Sequence, residues 1–274
     1  MGGSRRLAAM AMFRPHHAGE TALNIDLSGK TILVTGASRG IGAAIARRLG
    51  QSGATVAVHY GRAREPAEAI AREIGNGARA FGADLAKADE CLALWAAVEA
   101  EFGAIDGLVN NAGIAIESPL DRDIEAWIGD WRETMAVNVE AVGLLCRLAT
   151  EHFKARKGGR IVNIASRAAF RGDTPDYLAY AASKAAVVAL TRSIARGFGK
   201  AGIKAFILAP GFTRTDMAHA FIAQYGEDFA MNGIELDRLT EPDDIAPMAV
   251  LLLSGLADHA TGTTIDLNAA SYVH

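Results

Sequence analysis

The chain has few of the residues that mark disulfide-rich, metal-binding or nucleic-acid-binding proteins. Its 274 residues include only two cysteines, Cys91 and Cys146, which lie in helical patterns without partner spacing. We therefore expect two buried thiols, a reducing compartment such as the cytoplasm, and no metal site. The formal net charge is −3 and the pI is near 6.2, which is not the basic footprint of a nucleic-acid binder.

Long hydrophobic runs are also missing. No apolar stretch approaches the roughly 18 residues that a transmembrane helix needs. The longest candidate, Ile245 to Leu253, contains Pro247 and fits a core helix better. Since 50% of the residues are hydrophobic, the composition favours a globular protein without a membrane or nucleic-acid partner.

The first residues differ in composition from the rest of the chain. They include Arg5, Arg6 and Arg14, with a short apolar stretch from Leu7 to Phe13 and no clear small-residue cleavage site after it. We predict a disordered leader over residues 1–24, with an export signal as the alternative. Residues 25–274 are then expected to form one catalytic domain.

Short strand-like runs alternate with helical segments from Lys30 onward. Strict alternation predicts an α/β fold, a single doubly wound parallel sheet (Rossmann type) of about seven strands with helices on both faces. The predicted strands are Thr31–Thr35, Thr55–Tyr60, Ala78–Gly82, Ile105–Asn110, Arg160–Ala165, Ile203–Ala209 and Thr264–Asn268. The predicted helices include Glu65–Ile74, Lys87–Phe102, Trp131–Arg156, Tyr177–Gly199 and Pro242–Leu253.

A glycine-rich turn connects the first strand to a helical pattern. Gly36 permits a tight turn, and Gly40 and Gly42 would let the backbone approach a pyrophosphate at the helix amino terminus. The spacing G-xxx-G-x-G differs from the commonest dinucleotide fingerprint, G-x-G-x-x-G. A glycine turn without a ligand is the alternative.

A tyrosine and a lysine four residues apart supply the most specific chemical pattern. Tyr180 and Lys184 fall on one face of the predicted helix. An ammonium about 4 Å from a phenol, at an effective dielectric near 20, favours the phenolate by roughly 4 kcal/mol. Such a field would lower the pKa of Tyr180 by up to about three units, towards working pH. The spacing alone is weak evidence for a catalytic pair, because a surface tyrosine and a solvated lysine can also lie four residues apart in a helix.

Several motifs in a fixed order strengthen this interpretation. They are Thr35 to Gly42, Asn110-Asn-Ala-Gly113, Asn138 within a helix, Ser166 after the fifth strand, Tyr180 with Lys184, and Pro210-Gly211 followed by Thr215. In these motifs the chain resembles the short-chain dehydrogenase/reductase family from about Leu27 to His274.

The resemblance implies roles for four residues. Tyr180 would be the general acid in carbonyl reduction or the base in alcohol oxidation, and Lys184 would lower its pKa and bond the nicotinamide ribose. Ser166 would position the substrate oxygen, and Asn138 would hold a water in a proton relay. From the residues alone, Ser166 also fits a turn and Asn138 a helix bend.

The resemblance also implies a dinucleotide cofactor. The region from His59 to Arg64 lacks the acid that usually grips the ribose of NAD, whereas Arg39 with Arg62 or Arg64 would suit a 2′-phosphate. We predict NADP(H), with NAD(H) possible and solvated arginines as the alternative. The full set of expected cofactor residues is Gly36, Ser38, Arg39, Gly40, Ile41, Gly42, Tyr60, Arg62, Asp84, Leu85, Asn110, Ala112, Gly113, Tyr180, Lys184, Pro210, Gly211, Thr213 and Thr215.

The expected substrate is a small carbonyl or alcohol compound, by likeness a 3-oxoacyl or related keto compound. Arg167 and Arg171 would either face an anionic group or be solvated. The segment from Arg214 to Leu239 is a candidate substrate lid or a structural excursion. A cofactor-binding sensor or scaffold without turnover is the alternative function. The helices flanking the site suggest a homotetramer, with a dimer as the alternative.

Two features depart from the family pattern. Ser166 and Tyr180 are fourteen positions apart, one more than expected, which places an extra residue in the loop from Arg167 to Asp176. The stretch from Leu267 to Ala270 lacks the usual glycine pair. The second departure weakens predictions about the carboxyl-terminal tail.

Overall fold

The computed structural model describes residues 24–216, 218, 222, 226 and 230–273. The predicted leader, residues 1–24, lies outside these residues except for its last position. Much of the candidate lid, from Arg214 to Leu239, also lies outside them. Within the described residues, no helix combines the length and the apolar character needed to cross a membrane.

Seven parallel strands form one sheet in the order β3-β2-β1-β4-β5-β6-β7. The predicted doubly wound Rossmann-type fold is therefore confirmed. The order reverses between β1 and β4, which opens a crevice at the carboxyl ends of these two strands, where such sheets bind ligands. The strands are β1 (Thr31–Val34), β2 (Thr55–Tyr60), β3 (Arg79–Gly82), β4 (Gly107–Asn110), β5 (Gly159–Ile164), β6 (Ile203–Pro210) and β7 (Thr264–Leu267).

Helices cover both faces of the sheet, as predicted. Among the described residues they are α1 (Gly40–Gln51), α2 (Arg64–Ile74), α3 (Ala88–Phe102), α4 (Ile124–Met135), α5 (Ala141–Ala155), α6 (Ala168–Arg171), α7 (Leu178–Phe198) and α8 (Pro242–Ser254). Apolar residues of α1, α2 and α8 pack on one face, and those of α3, α5 and α7 on the other. The five inner strands, β2, β1, β4, β5 and β6, are buried on both sides, which explains their runs of apolar residues, whereas the edge strands β3 and β7 are partly exposed.

The single helix predicted over Trp131–Arg156 is wrong in two respects. The helix begins earlier, at Ile124, because the Asp123 carboxylate caps it by accepting hydrogen bonds from the Glu125 and Ala126 N–H groups. A π-helical turn, Ala136–Glu140, then separates α4 from α5. Such turns insert one extra residue and frequently mark functional sites.

The carboxyl-terminal stretch without the glycine pair keeps a glycine-like backbone. Ala269 and Ala270 adopt φ values of +51° and +58°, in the left-handed region that favours glycine. The Glu235 N–H donates to the Ala269 oxygen at 2.9 Å, and this bond helps to hold the conformation. The tertiary structure therefore imposes a conformation that these two alanines disfavour.

Candidate active site

The glycine turn after β1 is shaped to admit an anion. Gly36 and Gly40 have φ values of +61° and +53°, and a Cβ atom at Gly42 would collide with Asn111 Nδ2 and the Gly36 oxygen. The amino terminus of α1 has no side-chain cap and no acidic residue in its first turn. Free N–H groups and the helix dipole favour a phosphate there. These residues fit the pyrophosphate of a dinucleotide.

A buried histidine that the sequence analysis missed fixes this turn. The Gly36 N–H donates to His59 Nδ1 at 3.0 Å, so Nε2 carries the proton and donates to the Ala83 oxygen at 3.1 Å. Burial lowers the pKa of His59 to about 4, and the bond to Ala83 offsets this only in part. His59 is 2% exposed. In the sequence, its role was indicated only by its position near the end of a predicted strand close to the glycine turn.

Asn111, rather than Asn110, contacts the glycine turn. Asn111 Nδ2 donates to the oxygens of Thr35 and Gly36 at 2.9 and 3.1 Å. The side chain of Asn110 instead donates to Asn163 Oδ1 at 2.8 Å inside the sheet. The side chain of Asn110, one of the expected cofactor residues, thus ties β4 to β5, because successive strand residues point to opposite faces.

Tyr180, Ser166 and Lys184 come together at the carboxyl end of β5. The Ser166 side chain lies close enough to the Tyr180 phenol to act on its pKa through hydrogen bonding. Lys184 is 5% exposed, and its Nζ donates to the Ile164 oxygen at 3.0 Å. The same Nζ lies 5.8 Å from the centroid of the Tyr180 ring. A Cβ atom at Gly113 would stand 3.2 Å from this Nζ, so Gly113 borders the pair.

The electrostatics of this pair differ from the sequence-based expectation. Burial raises the pKa of Tyr180, and the hydrogen bond from Ser166 opposes this rise only partly. Burial also lowers the pKa of Lys184 to about 8. The expected lowering of the Tyr180 pKa by Lys184 is not found, because desolvation is the largest influence on the phenol and Lys184 is not among the groups that act on its pKa. A protonated phenol suits a proton donor at neutral pH.

Asn138 lies in the π-helical turn and is fully buried. Its Oδ1 accepts from the Ile114 N–H at 2.9 Å, and its Nδ2 donates to the Ile114 oxygen at 2.8 Å and to Ser183 Oγ at 3.0 Å. The side chain thus joins the loop after β4 to α7. The extra residue of the π turn places Asn138 beside Lys184, since its Oδ1 would be 3.3 Å from a Cβ at Gly113.

The predicted cofactor residues near β2 and β3 lie along the same edge of the sheet. The Tyr60 hydroxyl accepts from Arg64 Nε at 2.8 Å. Arg62 is exposed and pairs with no residue that the structure describes. Asp84 accepts a hydrogen bond from the Ala86 N–H and is exposed, whereas Leu85 is buried.

The loop after β6 reaches the glycine turn. The Gly211 N–H donates to the Leu267 oxygen, and the Thr213 hydroxyl donates to the Gly211 oxygen. Thr215 Cγ2 would lie 3.3 Å from a Cβ atom at Gly40. Arg39 pairs at 3.3 Å with Asp216 on the surface, so this pair spans the glycine turn and the loop. The sequence did not indicate that Arg39 has an acidic neighbour.

No cluster of three metal-ligating side chains occurs in the described part of the chain. Cys91 and Cys146 are both buried and unbridged, and burial raises their pKa values to about 11 and about 12. Neither thiol is therefore a nucleophile at neutral pH.

Comparison with known proteins identifies the family. A family model described as short chain dehydrogenase matches residues 30–226. Over 247 residues the chain is 38% identical to 3-oxoacyl-(acyl-carrier-protein) reductase FabG of Staphylococcus aureus, covering 89% of this chain and 98% of the relative. It is also 39% identical over 247 residues to 3beta-hydroxysteroid dehydrogenase 1 of Eggerthella lenta, covering 88% and 92%.

Solved structures agree with this assignment. A short chain dehydrogenase from Burkholderia cenocepacia in complex with NADP is 36% identical, with a TM-score of 0.81, and the match covers 89% of this chain and 98% of the other. A 3-ketoacyl-(acyl-carrier-protein) reductase from Brucella melitensis complexed with NADH is 32% identical, with a TM-score of 0.81 and coverage of 90% and 100%. The chain belongs to the short-chain dehydrogenase family, whose members here are reductases and dehydrogenases. The predicted class, an NAD(P)-dependent oxidoreductase of keto or alcohol groups, is confirmed.

Proposed function

We propose that the chain reduces a carbonyl compound, or oxidises the corresponding secondary alcohol, with Tyr180 as the proton-transferring group. The observation that supports this most directly is the position of Lys184, which is buried without an acidic partner among the described residues and has its Nζ 5.8 Å from the centroid of the Tyr180 ring. When bound, the nicotinamide cofactor supplies or accepts the hydride.

The other side chains have supporting roles in this proposal. Ser166 donates a hydrogen bond to the substrate oxygen, which it shares with Tyr180. Lys184 holds a positive charge beside the phenol and the cofactor ribose. Asn138 fixes the Ile114 backbone and Ser183, and it borders the path by which Lys184 exchanges a proton with solvent.

Replacing Tyr180 by phenylalanine tests the proposed acid. Tyr180→Phe removes one hydroxyl and should lower kcat/KM for ketone reduction at least about a hundredfold, because general acid catalysis contributes that much. Binding of NADPH, measured by fluorescence titration, should survive. A sensor or scaffold without turnover would show no ketone reduction in the unaltered chain either. Unchanged turnover in the variant would remove Tyr180 from the proposed role.

We propose NADP(H) as the preferred cofactor, with NAD(H) as a second one. No acid lies between His59 and Arg64, and Arg62 is exposed and unpaired among the described residues. Three similar solved structures contain NADP or NADPH and one contains NADH, which supports this preference and the second cofactor. Arg62→Glu should shift the kcat/KM ratio towards NADH at least about tenfold, and Arg72→Glu, on α2, is the control. A wild-type enzyme that favours NADH tenfold would contradict the proposal.

We propose a 3-oxoacyl or related keto compound as the substrate class. The similarity to a 3-oxoacyl reductase supports this substrate class, and the similarity to a steroid dehydrogenase makes cyclic ketones the main alternative class. A panel of β-ketoacyl thioesters, keto-sugars and cyclic ketones, assayed by NADPH oxidation, discriminates among these. A clear preference for cyclic ketones would contradict the 3-oxoacyl assignment.

We also propose that residues 25–274 act as one catalytic unit in the cytoplasm and assemble as a homotetramer through α4, α5 and α7. Two buried, unbridged cysteines are compatible with a reducing compartment. Exposed apolar side chains on this side, Ile124 and Leu178, would be covered by a second copy. Light scattering that gives a monomer at micromolar concentration would exclude the assembly.

A further inference from the structure

A partly buried arginine follows Ser166 directly in the chain. The Nη1 atom of Arg167 is completely enclosed and has no hydrogen-bond partner. The guanidinium forms no ion pair with any residue that the structure describes, and the side chain as a whole keeps partial access to solvent. A buried charge without a partner is costly, and such groups in native proteins call for a ligand or a functional reason.

The backbone places this arginine at the edge of the sheet where the site lies. The Arg167 N–H donates to the Pro210 oxygen at 3.0 Å, so the residue sits between the carboxyl ends of β5 and β6. Asp173 acts electrostatically on both the Arg167 guanidinium and the Tyr180 phenol. The guanidinium and the phenol therefore both lie within electrostatic range of the same carboxylate.

No carboxylate in the described part of the chain forms an ion pair with Arg167. Burial, together with a smaller repulsion from Arg171, lowers the pKa of Arg167 to about 10, while Asp173 acts in the opposite direction. Asp173 is exposed and forms no ion pair with Arg167, so it compensates the charge only weakly. Arg171, one helical turn later, is exposed. Of these two arginines, Arg167 is therefore the one that lacks both full hydration and a bound counter-charge among the described residues.

We propose that Arg167 binds an anionic oxygen group of the substrate, a carboxylate or a phosphate, while the substrate carbonyl contacts Ser166 and Tyr180. The planar guanidinium matches either group with two parallel hydrogen bonds. The substrates are then charged oxo compounds whose anionic group is on the same molecule as the reacting carbonyl. This inference rests on the proposed reaction and narrows its substrate class.

The test compares charged ketones with neutral partners of the same carbon skeleton. Acetoacetate is paired with methyl acetoacetate, levulinate with methyl levulinate, and dihydroxyacetone phosphate with dihydroxyacetone. The first two pairs vary the distance from carbonyl to carboxylate, and the third replaces carboxylate by phosphate. The readout is the charged-to-neutral ratio of kcat/KM with NADPH, because a ratio cancels any general loss of activity.

We expect at least one charged member to be preferred by the wild type, and Arg167→Gln to reduce that ratio at least about tenfold. Arg167→Lys, which retains the charge but not the planar fork, should retain part of the preference. Arg171→Gln, the matched control, should change the ratio less than threefold. If Arg167→Gln and Arg171→Gln change it equally, the effect is general electrostatics and the proposal is wrong.

Binding without turnover gives an independent readout. Levulinate, methyl levulinate and dihydroxyacetone phosphate are titrated calorimetrically into the enzyme saturated with NADP⁺, which cannot reduce them. A charged probe should bind the wild type at least tenfold more tightly than Arg167→Gln. If no charged probe binds better than its neutral partner and the neutral ketones are reduced, the role of Arg167 is overturned and the proposed reaction stands. If no ketone of any class is reduced, the proposed reaction fails first.

Discussion

The buried His59 predicts a specific loss of stability in acid. It is 2% exposed, and its Nδ1 must stay unprotonated to accept the hydrogen bond from Gly36. Its pKa falls from 6.5 in the unfolded chain to about 4 in the folded one. The unfolded state therefore binds more protons between these values, so stability falls as the pH drops from about 6.5 towards 4.

The size of this effect follows from the two pKa values. Between pH 7 and pH 5 the histidine should remove ~2 kcal/mol of unfolding free energy, and about 3 kcal/mol once the pH is below 4. His59→Asn isolates the contribution, because an asparagine Oδ1 can accept from the Gly36 N–H but does not titrate. The variant should be less stable at pH 8 by about 1–2 kcal/mol, because the Ala83 oxygen loses its donor.

The assay is urea unfolding at pH 5, 6, 7 and 8, followed by the fluorescence of the three tryptophans. Subtracting the variant from the wild type cancels the other titrating groups, and the difference should shrink by ~2 kcal/mol between pH 7 and pH 5. His259→Asn, at an exposed position, is the control and should leave the pH dependence unchanged. A difference between wild type and His59→Asn that does not vary with pH would refute the reasoning.

Three further predictions concern backbone strain, packing and the site. Ala270→Gly should stabilise the fold by about 0.5–1 kcal/mol and raise Tm, because it relieves a left-handed φ of +58°; the gain is net of the greater unfolded-state entropy of glycine. The control is Ala257→Gly, at a φ of −112°, which should destabilise the fold. Gly42→Ala should weaken NADPH binding at least about tenfold in fluorescence titration, because the added Cβ collides with Asn111 and Gly36. The control is Gly129→Ala, which has open space around it and should leave NADPH binding unchanged. Asn138→Ala should cost about 2–4 kcal/mol in urea unfolding, because it leaves the Ile114 N–H and oxygen without partners. Equal stability of Asn138→Ala and the wild type would mean that these bonds are replaced by water.

Much of the fold could be predicted because its signals are local. Each of the seven strands is a short β-branched or apolar run, and a parallel sheet buried on both faces needs no alternation to be recognised. The bounds were less certain: β4 begins at Gly107 rather than Ile105, and α4 begins at Ile124 rather than Trp131. The start of α4 depends on a single capping carboxylate, and the π-helical turn produces no periodic hydrophobic pattern in the sequence. Neither could therefore be predicted from the sequence.

The site was predicted only in part. Ser166, Tyr180 and Lys184 converge as expected, since a strand end and one helix face determine their positions. The pKa of Tyr180 moved opposite to the expected direction, because desolvation depends on what surrounds a side chain and not on sequence spacing. His59 and Asn111 were missed for the same reason, since each acts through a backbone group from another part of the chain.

The sequence by itself determined the order of strands and helices, the glycine turn and the pairing of Tyr180 with Lys184, because all of these follow from chemistry within a few adjacent residues. The tertiary structure alone decided which groups lose water and which keep a partner. Arg167 and Arg171 look equivalent in the sequence, yet one is enclosed without a counter-charge and the other is exposed. Burial and pairing depend on segments that are distant in the chain, and only folding brings those segments together.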